Sequence, residues 1–252
     1  MVLLAQDKPK ERKGELYFAW GYNTEWYTQS TVHVSQGNVG NVYDLINVKG
    51  HDHKGWDMGL LSEPITIPQY NYRLGYFFNK GNSWGIEINF DHTKFIITDG
   101  NYQMKGQFGG KSVDSNLAFL RANGFYYYLN NGANFLLFNA VRRWQLCSNA
   151  DENFKFSGIV KAGIGPVVPH VENSLFGERN HPHFQLGGWN MGIEGALRAN
   201  FYKYIYLEYA NKLDFASYSG LKILHGGTIS QSFGTYEMIL TLGASIPVGK
   251  RI

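Results

Sequence analysis

At 252 residues the chain is long enough for one large domain or two small ones. Charged residues make up 17%, below the roughly 25% of an ordinary soluble domain, whereas aromatics reach 16% and glycine numbers 30. A net charge of +3 with no basic stripe gives no sign of a nucleic-acid partner, and the single Cys147 excludes a disulfide framework and a Cys-rich metal site. With mean hydropathy of −0.29 and no long apolar run, the sequence holds no transmembrane helix; alternating membrane strands, which average out in hydropathy, remain open.

The chain opens with MVLLAQDKPKERKGE. Val2 to Gln6 reads as the tail of a signal peptide cut near Ala5–Gln6, followed by a charged stretch. Residues 1–13 are therefore assigned to a signal-peptide remnant and flexible segment, and 14–252 to a single β domain. Strands are predicted near 14–30, 67–79, 83–98, 115–129, 155–171, 184–199, 202–216 and 233–249. Within them the side chains alternate between apolar and ionic faces, as the two-residue period of a strand requires. Leu16, Phe18 and Trp20 oppose Glu15, Asn23 and Glu25. Ile86, Ile88 and Phe90 oppose Glu87, Asn89 and Asp91. Ile205, Leu207 and Leu213 oppose Glu208, Lys212 and Asp214.

The connections alternate in length. KGNS and the residues around Asn200 and Phe201 make short turns, whereas 31–66, 99–114, 172–183 and 217–232 are long. Short turns on one side and long loops on the other match a transmembrane β-barrel. The 130–154 connection breaks the alternation: it should be a short turn, yet it carries FLLFNAVRRWQL, which fits an interfacial helix or two further strands. The run Val42–Val48 is expected to extend the barrel as a hairpin outside the membrane. Aromatics cluster at the short-turn ends: Phe77, Phe78 and Trp84, then Tyr126 and Tyr128, then Tyr202 and Tyr204. Such rings anchor at a lipid–water boundary. A lipocalin-like barrel would place the apolar face inside; here the ions belong inside. The expected fold is all-β, an antiparallel transmembrane barrel of eight strands, with ten as the alternative, in a bacterial outer membrane.

The stretches GELYFAWGYNTEWY, NYRLGYFFNKGNSWGIEINFDHTKF, GIVKAGIGPVVPHVENSLFG and the closing LTLGASIPVGKRI resemble small bacterial outer-membrane β-barrel proteins of the OmpA/OmpX-like kind, in their Bacteroidota-type form. The resemblance covers most of the chain as a pattern. It implies long extracellular loops, short periplasmic turns and contact with outer-membrane lipid and lipopolysaccharide. The chain departs from it at the end, closing on Ile252 where many such barrels close on Phe or Trp.

Eight strands enclose room only for side chains. Arg73, Glu87, Asp91, Arg121, Lys161, Glu194, Arg198, Glu208, Lys212 and Glu237 are therefore read as a salt-bridged network filling the lumen. The eight histidines fall towards the long loops, with the tightest pairs at 51–53 and 181–183, and no spacing matches a zinc pattern. A lipid A-modifying enzyme would need a histidine, a hydroxyl and an acid at the outer rim. The candidates are Asp91 with His92, and His170 with Ser174; alternation turns Asp91 inward and His92 outward, which separates that pair. No phosphate loop or serine-elbow motif appears, so neither nucleotide nor other cofactor is expected. The reading that follows is a non-enzymatic structural or interaction protein, in a specific version an accessory subunit of a larger outer-membrane complex. A lipid A-modifying enzyme and a small pore are the alternatives.

Overall fold

The computed structural model describes residues 12–52, 69–78, 83–129, 132–202 and 204–251. Eight antiparallel strands close into a ring: β1 (Arg12–Tyr27), β2 (Tyr70–Phe77), β3 (Trp84–Asp91), β4 (Phe135–Ser148), β5 (Phe154–Pro166), β6 (Gly188–Phe201), β7 (Ile205–Lys222) and β8 (Thr228–Arg251). Closure is made by β1, which pairs with β2 on one side and β8 on the other; Leu16 faces Tyr76 in β2 and Ile246 in β8. Phe78 and Ser83, the turn 149–153, and Tyr202 and Tyr204 all lie at one end, with both ends of the described chain.

Seven of these strands follow the alternation of the sequence. The expected strand at 115–129 is not in the ring. Residues Lys111–Phe119 pair instead with Gly100–Phe108 in an outer hairpin, and Tyr126–Leu129 belongs to a separate outer sheet. The fourth wall strand is β4, from the stretch that fits helix or strand by sequence. Its outer end is apolar on both faces, since Phe135 and Leu137 turn inward while Phe138 turns outward. That hides the two-residue period. With β4 in place, the long excursion 92–134 and the turn 149–153 restore the alternation of connections. Likewise, 217–232 is not a loop: β7 and β8 run through most of it and join over 223–227.

The outward face of the wall is apolar. Leu74, Ile86, Phe138, Ile164, Ile193, Leu213 and Leu242 are all exposed, Ile86 and Ile193 at 60%. On β7 exposed positions run from Ile205 to Phe215, about the 9–11 residues that a tilted strand needs to cross a bilayer. At the short-turn end Trp84, Trp144, Tyr202 and Tyr204 stand exposed, and the Arg142 guanidinium lies 4.7 Å from the Trp84 ring. An amphipathic cation among aromatics suits the headgroup level.

Phe77 departs from its expected place in that boundary set. It is fully buried and points into the barrel, packing on Tyr17 with ring centroids 5.2 Å apart. Tyr17, Phe77 and Tyr206 form an aromatic floor across the short-turn end of the lumen. Glycines make room for it: a Cβ on Gly75 would sit 2.1 Å from the Tyr17 ring, and one on Gly243 2.2 Å from Tyr206. Tyr126 and Tyr128 also lie elsewhere, at the opposite end, because their strand pairs with Phe95–Ile97 and His170–Leu175.

Beyond the membrane wall the chain builds a cap. Ser30–Gln36 pairs with the start of β8, and Asn41–Val48, Gly100–Phe108 and Lys111–Phe119 follow in order. The hairpin expected around Val42–Val48 is thus present. The sheet carrying Tyr126–Leu129 brings in Gly50–His51 through Phe95–Ile97, and Glu178–Arg179 and His183–Phe184 through His170–Leu175. Between them lies an apolar core that includes Val34, Tyr43, Leu45, Phe95, Tyr127 and Tyr218. Leu45 is 1% exposed in it. Leu45→Ala is expected to cost about 2–5 kcal/mol locally. External protease added to whole cells should then clip the cap, while the barrel keeps its heat-modifiable mobility in a gel.

Candidate functional site

The inward positions of the eight strands converge on two linked, buried ion clusters. Lys161 on β5 holds Glu87, Glu194 and Glu208 at 3.0, 3.0 and 2.9 Å. Arg73 on β2 joins Glu194 at 2.9 Å and Glu87 at 3.2 Å, and Arg198 on β6 takes Glu208 at 2.6 Å. Three cations thus meet three carboxylates, and each carboxylate is shared. Tyr17 donates to Glu87 at 2.9 Å, and the Arg198 guanidinium lies 3.9 Å from the Tyr206 ring. Arg73 and Arg198 are 1% and 0% exposed. At the short-turn end a bidentate Arg143–Glu15 pair, both contacts 2.8 Å, lies against Phe77.

A second cluster sits nearer the outer rim. Lys212 on β7 contacts Asp91 at 2.7 Å, and Asp214 and Glu237 at 3.1 Å each. Arg73 links the two clusters through Asp91 at 3.6 Å. Above it Glu25 accepts from Asn23 at 2.8 Å and from the Tyr27 hydroxyl, while its backbone N–H donates to Asp52 at 3.0 Å. The carboxylate-rich layer ends there, and the apolar core of the cap begins.

Of the ten ions read as inward, nine line the lumen. Arg121 does not: it lies in the exposed 3-10 turn Arg121–Asn123 of the outer region, 5.7 Å from the Tyr128 ring. Alternation could not place it, because a turn has no faces. The inward partners Asn139 and Arg143 belong to β4, whose strand character the sequence left open.

The residues considered for catalysis are engaged otherwise. His92 lies past the end of β3, where the chain bends, so it is buried rather than facing lipid. Its ring stacks on Tyr70 and its Nδ1 meets Asn134 Oδ1 at 2.8 Å. Asp91 stays in the Lys212 cluster. His170 packs against Phe184, and burial holds its imidazole below the usual range. The Ser174 hydroxyl donates to the Gly124 carbonyl at 2.8 Å. His51 meets Thr98 at 2.9 Å and His183 the His181 carbonyl at 2.9 Å; His53 lies outside the described residues. Among the described residues no three His, Cys, Asp or Glu side chains converge to hold a metal.

A closed wall that is apolar outside and ionic inside, with its strands paired all the way round, is what a strand-built membrane span requires. The wall is that of a bacterial outer-membrane β-barrel. No protein-family model matches the chain, and no curated protein does. Solved structures that resemble it are outer-membrane proteins. Ail, the attachment invasion locus protein of Yersinia pestis, matches at 14% identity over 93% of this chain and 99% of its own, with a TM-score of 0.35. OprG from Pseudomonas aeruginosa matches at 9% identity over 95% and 99%, with a TM-score of 0.39. The protease OmpT from Escherichia coli matches at 10% identity over 96% and 99%, with a TM-score of 0.43. These likenesses are loose, and the assignment rests on the chain's own closed wall.

Lys161→Met leaves three buried carboxylates short of a shared cation, and removing one partner of such a cluster costs about 3–5 kcal/mol. Urea unfolding in lipid vesicles, read by tryptophan fluorescence, should show that loss. Lys105→Met, which breaks an exposed pair with Asp114, should change stability by no more than about 0.5 kcal/mol.

Proposed function

We propose that the protein is a non-enzymatic structural and interaction protein, an accessory subunit of a larger outer-membrane complex. The observation that carries this reading is the double seal of the barrel. The ion clusters fill the membrane level, the Tyr17–Phe77–Tyr206 floor covers one end, and the apolar core of the cap covers the other. A small pore would need a continuous polar path, and that packing disfavours one. An outer-rim hydrolase would need a hydroxyl and an imidazole within hydrogen-bond reach. Of the candidates, Ser174 is bound to a backbone carbonyl and His92 is paired with an amide; the imidazole and hydroxyl that do meet, His51 and Thr98, form an exposed contact on the cap. What the chain offers its surroundings is surface: the cap outside and the wall in the membrane.

In planar lipid bilayers the purified barrel is expected to give no conductance steps. From native outer membranes solubilised in mild detergent, the tagged barrel should bring down one integral membrane protein in stoichiometric amount. Discrete single-channel openings would sink the reading, and so would recovery of the barrel alone.

A further inference from the structure

The outward face of the wall is not uniformly apolar. On β7 the exposed residues run Leu207, Tyr209, Asn211, Leu213, so a carboxamide stands near the middle of the hydrocarbon span. Its Oδ1 accepts from the Tyr209 hydroxyl at 3.2 Å and from the Tyr236 hydroxyl at 2.5 Å. No described residue accepts from its Nδ2, whose two N–H groups are left to whatever adjoins the wall. Water is absent at that depth, and an unmatched amide there is costly.

A depression of about 390 Å³ opens beside this amide. Trp144, Val160, Leu197 and Tyr209 wall it, Gly158 and Gly195 form its floor, and Asn211 contributes to its lining. The barrel itself does not demand these two glycines. A Cβ on Gly195 would meet nothing within 4 Å, and one on Gly158 only Leu146, at 3.8 Å. By contrast a Cβ on Gly21 or Gly165 would come within 2.0 Å of a backbone oxygen. Glycine inside a strand weakens it, and often marks a place where another molecule comes close.

The geometry points to this β5–β7 face as the seat of a second outer-membrane β-barrel protein. That partner would lodge a bulky apolar side chain in the depression and set a hydrogen-bond acceptor, such as Ser, Thr, Asn or Gln, opposite Asn211. Lipid does not fit the site as well, because acyl chains carry no acceptor at mid-bilayer. A second copy meeting two-fold at Asn211 would set Nδ2 against Nδ2, with only the hydroxyls of Tyr209 and Tyr236, already donating to Oδ1, left to accept. The characteristic span of this membrane is a closed barrel, and the contribution of such a partner is a wall strand. The inference rests on the accessory-subunit reading and names its contact face.

The test joins capture with in-cell photo-crosslinking. A benzophenone amino acid replaces Leu197 beside the depression or Leu74 on the β2 wall. Gly195→Leu and Asn211→Leu are made separately, each filling open space or removing the amide without touching the barrel's interior. The expected result is one defined adduct with another outer-membrane barrel from Leu197 and none from Leu74. Both variants should fold normally by heat-modifiable mobility, yet retain about tenfold less partner in mild detergent. Adducts with lipopolysaccharide alone, an adduct of twice the chain's mass, or equal adducts from Leu74 would overturn the inference. A partner that co-purifies equally with wild type and both variants would overturn the face but keep the accessory-subunit reading. Wild-type protein recovered alone would overturn both.

Discussion

A charge carried inside a membrane-spanning wall has to find its counter-charge there, and this barrel is organised around that requirement. Lys161 sits among three glutamates from β3, β6 and β7, so one ammonium group ties together strands that are not all neighbours. Arg73 and Arg198 complete the balance. Isolated, each ion would be strongly disfavoured; shared, each removes the penalty of the next. The cross-section follows. Eight strands bring opposing walls close enough for Arg73 on β2 to reach Glu194 on β6, and for Lys212 on β7 to reach Asp91 on β3, across the lumen. The long side chains then fill the space that a wider ring would leave to water.

The same constraint explains why polarity inverts along the barrel. At membrane depth the outside is hydrocarbon, so the apolar faces turn out and the ions turn in. Beyond the rim the outside is water, and the rule reverts to that of a soluble protein. Val34, Leu45 and Tyr43 are buried inward, while His33 and Asp44, 2.6 Å apart, are exposed on the same hairpin. The strands of β7 and β8 pass through both regimes. Lys212 and Glu237 face inward at one level, and Tyr218 and Phe233 face inward at the next, with no change in which side of the strand is the inner one. The Glu25–Asp52 layer is the junction: polar enough to lie on the ion cluster, and sealed from water by the core above.

How far the sequence could be read depends on this inversion. Strands with steady ionic and apolar faces, such as Trp84–Asp91 and Ile205–Asp214, were legible by period alone, and so was the inward direction of Glu87, Glu208 and Lys212. β4 was not, because Leu137 and Val141 are apolar and inward while Phe138 is apolar and outward; at the edge of each buried cluster the alternation loses contrast. Phe77 was misplaced for a related reason. An aromatic residue beside a short turn suits the lipid boundary, yet its position in the pleat sends it inward, where Gly75 leaves Tyr17 room to meet it. Arg121 and His92 fall where strands end, and face arguments stop at a strand's end. The cap's two-sheet arrangement depends on pairings between distant segments, such as Tyr126–Leu129 with His170–Leu175, for which a single sequence carries no local signal.

A barrel sealed at both ends leaves its surfaces to distinguish it, and here the sealing and the surface are linked. Because the ion clusters fix the inner faces of β5, β6 and β7 through Lys161, Glu194 and Glu208, the outer face of those strands is held rigid from behind. A face of that kind can keep Gly158, Gly195 and Asn211 in a set arrangement without a partner present, so little ordering entropy is left to be lost when one docks. On this view the interior charges do more than neutralise one another: they preorganise a stretch of wall whose amide and open glycines the barrel itself has no use for.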